Sequence, residues 1–489
     1  MNQHSKYFVC KTLLIVLFVQ LATVTVSNGQ TKAEKIDQLM SLYSGYGQFN
    51  GSVLVADGGK VIYKKGFGMA NMEWNIPNQT DTKHRLGSVT KQFTSMLILQ
   101  LVEQGKIKLD SPITTYLPDY PKKSGDQITI HQLLTHTSGI PNYTSFPNFV
   151  KEVSINLYSP EAFVKTFANL PLEFTPGEKF AYSNSGYFLL GYIIEKVSGK
   201  SYEQCLQDNI LTPLKINNTG YDHLETILKN RASGYEKKGK DYSNANYLDM
   251  SIPYAAGSLY STVEDLYLWD QALYTEQLLS TKNRELLFNS YIPAGPGFYG
   301  YGWFINKVPN GESKDSLTVV EHSGGINGFN TIVSRIPSDK NLVVLLNNTG
   351  GAKLNEMSTA IRNILYNTPY SLPKKSLASE LVAIILERGI ASGLTFFNEN
   401  KKSDTYALNE SEMNNEGYQF LQTGKVKEAI AIFKLNVESF PKSGNTYDSL
   451  GEAYLKDGDK KGAILNYKKS VELDPNNQNG KKVLEEITK

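Results

Sequence analysis

The spacing of apolar positions changes period several times along the chain, and each change predicts an element. Residues Phe49 to Gly68, FNGSVLVADGGKVIYKKGFG, hold two β-rich runs around Asp57-Gly58-Gly59-Lys60, the pattern of a hairpin. The stretch RLGSVTKQFTSMLILQLVEQGK, Arg85 to Lys106, predicts a helix from about Val89 to Gln104, stopped at Gly105. Its apolar residues (Phe93, Met96, Leu97, Ile98, Leu99, Leu101, Val102) surround so much of it that it should be buried on most sides. From about 110 to 250 the pattern is helical pieces broken by Pro and Gly, with many tyrosines. Strand character returns in NTIVSRIPSDKNLVVLLNN, Asn330 to Asn348, as strand, Ser338-Asp339 turn and strand. Strands at both ends with helices between predict one sheet into which a helical region is inserted.

A boundary falls near Tyr370. SLPKKS is a linker, Leu377 to Phe397 a helix, and NENKKSD a second linker. Beyond it Gly417 and Gly451, Phe420 and Tyr454, Gly424 and Gly458, Ala429 and Ala463, Phe433 and Tyr467, Pro441 and Pro475 are each 34 residues apart. That period, with small, aromatic and proline positions in this order, resembles the tetratricopeptide repeat. Small residues there let paired helices approach, and prolines end each unit. Two repeats are evident, so the helix before them and NGKKVLEEI after them are read as caps. The expected organisation is a signal peptide over 1–29, a main domain over 33–370, linker and helix over 371–407, and an all-α repeat domain over 408–489.

Composition narrows the function classes. At 489 residues the chain can form two or three domains, and 40% hydrophobic with 20% charged residues excludes collagen-like or disordered bias. Lys plus Arg is 50 against 48 for Asp plus Glu, without a long basic block, so nucleic acid is not an expected partner. Lys6 and Lys11 precede the apolar run Thr12 to Val26, which SNGQ follows. Positive start, apolar core and small-residue exit read as a secretory signal. A retained membrane anchor is the competing reading, but the run is short for a span and holds Gln20 and several threonines. Cleavage near Gly29 would leave Cys205 as the sole cysteine, so the exported chain would have no internal disulfide and no membrane span. Its expected location is the periplasm or outside the cell.

Three short stretches could carry chemistry. Ser-x-x-Lys occurs at Ser88, Ser371 and Ser439, and a proline interrupts the last two. Ser88 and Lys91 can meet at i, i+3 on one helical turn, where a helix N-terminus favours a developing anion. The plain alternative is a capping serine and a surface lysine. Tyr182-Ser183-Asn184 precedes another apolar helix, although the chain has 30 tyrosines and an Asn often serves a turn. His322-Ser323-Gly324-Gly325 leads into the late strand pair. His131 and His136, five apart, fall on different helix faces, so no metal site is expected there.

The three together, in this order, resemble the active-site elements of the serine β-lactamase and penicillin-binding-protein superfamily, in its class C and D-alanyl-D-alanine carboxypeptidase branch. LLTHTSGIP (Leu133 to Pro141), PGEKFAYSNSGY (Pro176 to Tyr187) and AAGSLYSTVEDL (Ala255 to Leu266) add to the likeness, which covers roughly residues 35 to 368. It implies an α/β (α+β) fold, an antiparallel sheet flanked by helices, and no cofactor. It also implies Ser88 as the nucleophile forming an acyl-enzyme, with Lys91 and Tyr182 sharing general base and acid. Lys91 near Tyr182 should favour the phenolate. Asn184 would donate to Lys91 or to the substrate amide. The N–H groups of Ser88 and Gly325 would form the oxyanion hole, with Gly324 beside them.

Two departures shape the expected substrate. No Glu-x-x-Leu-Asn stretch is present, so glutamate-assisted deacylation is not supported. His322 stands where most β-lactamases carry lysine, and a histidine of ordinary pKa near ~6.5 is only partly charged at neutral pH. The expected activity is hydrolysis of amide or ester bonds in a small substrate, with D-amino-acid peptides derived from peptidoglycan in view. Esterase or β-lactamase activity is an alternative within the fold. A penicillin-binding sensor or scaffold that recruits a protein partner through its repeats is an alternative outside catalysis.

Overall fold

The computed structural model describes residues 30–238, 241–311 and 315–489; the signal peptide expected over 1–29 lies outside the described residues. Eight strands form one sheet: β1 (Gly51–Asp57), β2 (Lys60–Phe67), β3 (Ile292–Ala294), β4 (Gly297–Tyr299), β5 (Phe304–Pro309), β6 (Ser316–Ile326), β7 (Phe329–Ile336) and β8 (Asn341–Asn347). Their order is β3-β4-β5-β6-β7-β8-β1-β2, antiparallel throughout. The two ends of the domain therefore meet in mid-sheet, Gly51 opposite Asn347 and Val55 opposite Val343. The inserted helical region expected from the pattern is present between β2 and β3.

Five longer helices sandwich this sheet or fill the insertion: α1 (Lys32–Gly45), α2 (Thr90–Glu103), α3 (Asn184–Ser198), α4 (Val263–Ala272) and α5 (Leu354–Leu365). Strand alternation sorts the core into two layers. Val53, Val55, Val343 and Leu345 face Ile36, Leu39, Met40, Met357 and Ile361 of α1 and α5. Leu54, Ala56, Val344 and Leu346 face the other layer, with Phe93 of α2, Ile193 of α3 and Trp269 of α4. Every residue of α2 from Thr90 to Leu99 is buried, as its unbroken apolar surround predicts.

Two features differ from the sequence reading. Strands β3 to β5 were not legible, because two of them are three residues long and glycines interrupt the alternation. His322 to Gly325 also lie within β6 itself, not ahead of a strand.

Beyond Tyr370 the chain is helical: α6 (Leu377–Asn400), α7 (Glu410–Gln422), α8 (Val426–Ser439), α9 (Gly444–Lys456), α10 (Lys460–Leu473) and α11 (Gln478–Thr488). Gly389, at φ 82° and ψ 168°, breaks α6 into two helical segments. The 34-residue spacing has a direct packing meaning. A Cβ on Gly417 would lie 2.4 Å from the Phe433 ring, and one on Gly451 would lie 3.0 Å from the Tyr467 ring. Gly424 and Gly458 sit at φ +77° and +83° in the corresponding turns. Both segments of α6 share a core with the repeats, through Leu377, Leu381, Phe397, Met413, Phe420 and Phe433.

One ion pair ties α4 to β7. Arg335 and Asp270, each 1% exposed, meet at 2.7 Å, and the guanidinium also lies over the rings of Tyr274, Phe288 and Trp303. Burial pushes the Asp270 carboxyl up while Arg335 pulls it back. Asp270→Asn would strand the buried guanidinium, and we expect a loss of about 3–5 kcal/mol in denaturant-monitored stability. An unchanged unfolding midpoint would contradict that account.

Candidate active site

The serine turn is held by backbone fit. Ser88 lies in a single turn of 3-10 helix, Gly87–Val89, that leads into α2. The Leu86 carbonyl accepts from the Thr331 hydroxyl at 2.7 Å, and the Leu86 N–H donates to Leu259 O at 2.7 Å. Only glycine fits on either side of this contact. Gly87 has φ +54° and a Cβ there would stand 3.0 Å from the Gly325 nitrogen; one on Gly324 would stand 2.0 Å from Leu86 O. The turn carrying Ser88 thus rests on the strand carrying Gly324 and Gly325.

Lys91, one helical turn on, brings its Nζ to three oxygens: Ser88 Oγ at 3.0 Å, Asn184 Oδ1 at 2.8 Å and Ala256 O at 2.9 Å. It has no exposed surface, and burial pulls its pKa well below that of an ordinary lysine. A neutral amine has two N–H donors and one lone pair. Those donors suit the Asn184 and Ala256 carbonyls, which leaves the lone pair for the Ser88 O–H. Asn184 therefore accepts from Lys91 and does not donate to it, contrary to the reading from sequence. Its own N–H and its Nδ2 donate to Asn142 Oδ1 at 3.1 and 3.3 Å.

Tyr182 completes the group. The Lys91 amine stands 4.9 Å from its ring centre, and its buried hydroxyl, beside Ser88, meets no other polar partner among the described residues. Burial raises its pKa and the nearby Ser88 side chain lowers it, with burial the larger effect. The phenol is held protonated, so the expected phenolate is corrected: desolvation outweighs the neighbouring amine, itself held toward the neutral form.

His322 is also corrected. It is 2% exposed and its pKa is pulled down to about 3, chiefly by burial and further by Lys91. It carries no charge at neutral pH, partial or otherwise.

The flanking stretches supply the supports. Leu133 to Pro141 contributes His136 Nδ1, which accepts the Ser183 N–H at 3.1 Å, and Ile140 O, which accepts the Ser183 hydroxyl at 3.1 Å. Ala255 and Ala256 present carbonyls to Thr94 and Lys91. Asn142, His136 and Tyr299 were not picked out from sequence as parts of the site. His136 stood in view within LLTHTSGIP, but its φ of +57° and its burial belong to the fold. Among the described residues no three His, Cys, Asp or Glu side chains group as metal ligands.

The beta-lactamase family model matches residues 33–366. The chain belongs to this family. Its hydrolase domain resembles PbpX of Bacillus subtilis (strain 168), described as a candidate penicillin-binding protein, at 31% identity over 348 residues, covering 71% of this chain and 83% of that one. Among solved structures, a penicillin-binding protein from Bacillus halodurans superposes with TM-score 0.59 at 28% identity, covering 67% of this chain and 98% of that one. The D-amino acid amidase of Ochrobactrum anthropi SV3, complexed with L-phenylalanine, gives TM-score 0.57 at 26% identity over 68% of this chain and 99% of that one. The serine β-lactamase and penicillin-binding-protein superfamily expected from the motifs is thus the family of this domain, and these likenesses support a serine hydrolase.

Three buried histidines of the β-lactamase-family domain have depressed pKa values: His84 at about 4, His322 at about 3, and His136 well below the ordinary value. Burial dominates each shift. An unfolded chain protonates all three near ~6.5 while the folded chain does not, so stability is full above that pH and falls below it. Each should cost about 1.4 kcal/mol per pH unit on the way down to its folded value. Denaturant titrations across this range should show the decline; equal stability at pH ~7 and ~5 would contradict it.

Proposed function

We propose that the protein is an exported serine hydrolase that forms an acyl-enzyme on Ser88 and acts on amides and esters whose recognition needs no carboxylate. Lys91 takes the serine proton as Oγ attacks the carbonyl carbon. The N–H groups of Ser88 and Gly325 hold the oxyanion, at ~3 kcal/mol per donor in comparable sites. Tyr182, protonated, gives its proton to the leaving amine or alcohol and regains one from Lys91. Water then attacks the acyl carbon as Lys91 again accepts a proton; the adduct collapses with Tyr182 protonating Ser88 Oγ, and Tyr182 regains its proton from Lys91, which restores the resting site.

The observation that carries this reading is the 3.0 Å approach of the Lys91 Nζ to Ser88 Oγ, within reach for proton transfer, with burial holding that amine toward its neutral form. The substrate half rests on His322. A neutral imidazole offers no permanent charge to a substrate carboxylate, as a lysine there would. Amides of D-amino acids and simple esters are therefore favoured over C-terminal D-alanyl peptides and β-lactams. The likeness to a D-amino acid amidase supports that choice. Export is proposed on the N-terminal pattern alone, and the helices beyond Tyr370 are proposed as tetratricopeptide repeats that engage a protein partner.

The test is a panel of p-nitrophenyl esters, D-amino acid amides, D-Ala-D-Ala peptides and a fluorescent penicillin, with adducts read by mass spectrometry. Esters and amides should turn over fastest, and Ser88→Ala should lower turnover by ~10³-fold or more. Turnover that survives Ser88→Ala would sink the mechanism. Faster hydrolysis of carboxylate-bearing peptides would sink the substrate assignment. Acylation without turnover on any substrate would favour a penicillin-binding sensor.

A further inference from the structure

Behind Tyr182 lies a chain of polar groups that takes no part in the proton transfers of the proposed reaction. The Ser183 N–H donates to His136 Nδ1 at 3.1 Å. His136 Nε2 and the Tyr299 hydroxyl are 3.2 Å apart, and the same hydroxyl is 3.0 Å from His322 Nε2. His322 Nδ1 lies 2.6 Å from Ser323 O. All three side chains are buried, with exposures of 1%, 0% and 2% for His136, Tyr299 and His322.

The two ends fix the direction of every link. A backbone N–H can only donate, so His136 Nδ1 is the acceptor and its proton sits on Nε2. A carbonyl can only accept, so His322 carries its proton on Nδ1 and Nε2 is bare. Between them, Tyr299 accepts from His136 and donates to His322. One arrangement of protons satisfies the chain, with both imidazoles neutral. A proton added to His136 Nδ1 would face the Ser183 N–H. One added to His322 Nε2 would face the Tyr299 hydroxyl and force that O–H to turn away, toward Tyr187.

We propose that His136 and Tyr299 are positioning residues that lock His322 as its neutral Nδ1–H tautomer, joining the Tyr182–Asn184 turn to the β6 strand of Gly324 and Gly325. The chain starts at the amide between Tyr182 and Ser183 and ends at the carbonyl between Ser323 and Gly324, so it spans the acid and the oxyanion strand. It also protects the base. Lys91 acts electrostatically on both His136 and His322, so a proton on either imidazole would oppose Lys91 taking the serine proton. The titratable groups facing His322 are Tyr299 of β4, Tyr182 ahead of α3, and Lys91 of α2, with His136 beyond Tyr299 and Tyr187 of α3 against both His136 and Tyr299. Glu321 next to it on β6 is engaged by Asn306 and Ser334.

The inference rests on the acyl-transfer reading above. Its test therefore has one arm that needs no activity. Imidazole NMR of the full chain should show His322 neutral with its proton on Nδ1, and Tyr299→Phe should move its titration to higher pH. A His322 proton on Nε2, or a titration unmoved by Tyr299→Phe, overturns the proposal whatever the enzyme does. In the kinetic arm, Tyr299→Phe should lower kcat roughly 10-fold to 100-fold with KM little changed, and its acid limb should shift to higher pH. A uniform loss at every pH would mark a structural role and overturn it. His136→Asn keeps an acceptor for Ser183 but removes the donor to Tyr299. It should shift the profile in the same direction, and the double variant should lose no more than Tyr299→Phe alone. Additive losses would overturn the chain. Absence of Ser88 acylation in the unmodified protein would defeat the acyl-transfer reading and leave the tautomer result standing on its own.

Discussion

A lysine amine with no exposed surface sets the terms for this domain. Desolvating an ammonium is expensive, so burial holds the Lys91 amine toward its neutral form, and the fold sets three oxygens around it. Each partner comes from a different part of the chain: Ser88 from the turn before α2, Asn184 from the start of α3, and Ala256 from the segment before α4. Those three segments must therefore pack on one another to within a hydrogen bond. Glycines 87 and 324 make the remaining contact, by letting the serine turn lie directly on β6. The sheet, closed in its middle by the pairing of β1 with β8, is the rigid surface on which this happens.

Much of that plan was legible from residue order. The hairpin β1–β2, the buried helix α2 and the strand pair β7–β8 follow from period and turn chemistry, and the 34-residue period located the helices beyond Leu408 by their small residues. The identities of Ser88, Lys91, Tyr182 and His322 were also in plain sight. What the sequence could not carry was the burial of single polar groups. A histidine in a string of letters has its ordinary pKa, so His322 reads as half-charged until the fold removes it from water. Tyr182 reads as a phenolate for the same reason. Desolvation depends on residues far away in sequence, here Phe180, Tyr299 and Phe304, whose rings crowd around His136 and His322. Strands β3 to β5 were missed on other grounds: they are short, and pairing across the sheet, not local alternation, makes them strands.

The helices after Tyr370 stand apart from this chemistry in the kind of contact they make. Their apolar core is their own, running from Leu377 through Phe433 to Ala453. Toward the hydrolase domain they present polar groups. Gln48 reaches Lys374 O at 2.7 Å, and Lys353 meets Glu412 at 3.1 Å. Lys237, with Glu412 and Glu416 raising its pKa against a larger effect of burial, faces the same surface. Polar, partly exposed contacts of this kind hold an orientation more than they hold a fold. The groups around the Lys91 amine, Ser88, Tyr182, Asn184, Tyr187 and Ala256, all come from the hydrolase domain.

The distribution of charge inside the site then decides what it can do. Lys91, His136 and His322 are three basic groups within one buried cluster, and like charges there cannot coexist. A fold that protonated the histidines would gain an anchor for a substrate carboxylate and would lose the base. This one holds both imidazoles neutral, each with a bonded partner on either ring nitrogen, and leaves the proton-accepting capacity with Lys91. In the proposed reaction the base and the imidazole on the substrate side are thus coupled through a single constraint. A lysine in place of His322 would be a rival cation in the same desolvated space as well as a charge for the substrate, and the Tyr299–His136 chain has no acceptor to offer its three donors beyond one phenolic oxygen. The proposed preference for neutral amides and esters follows from that one constraint on charge.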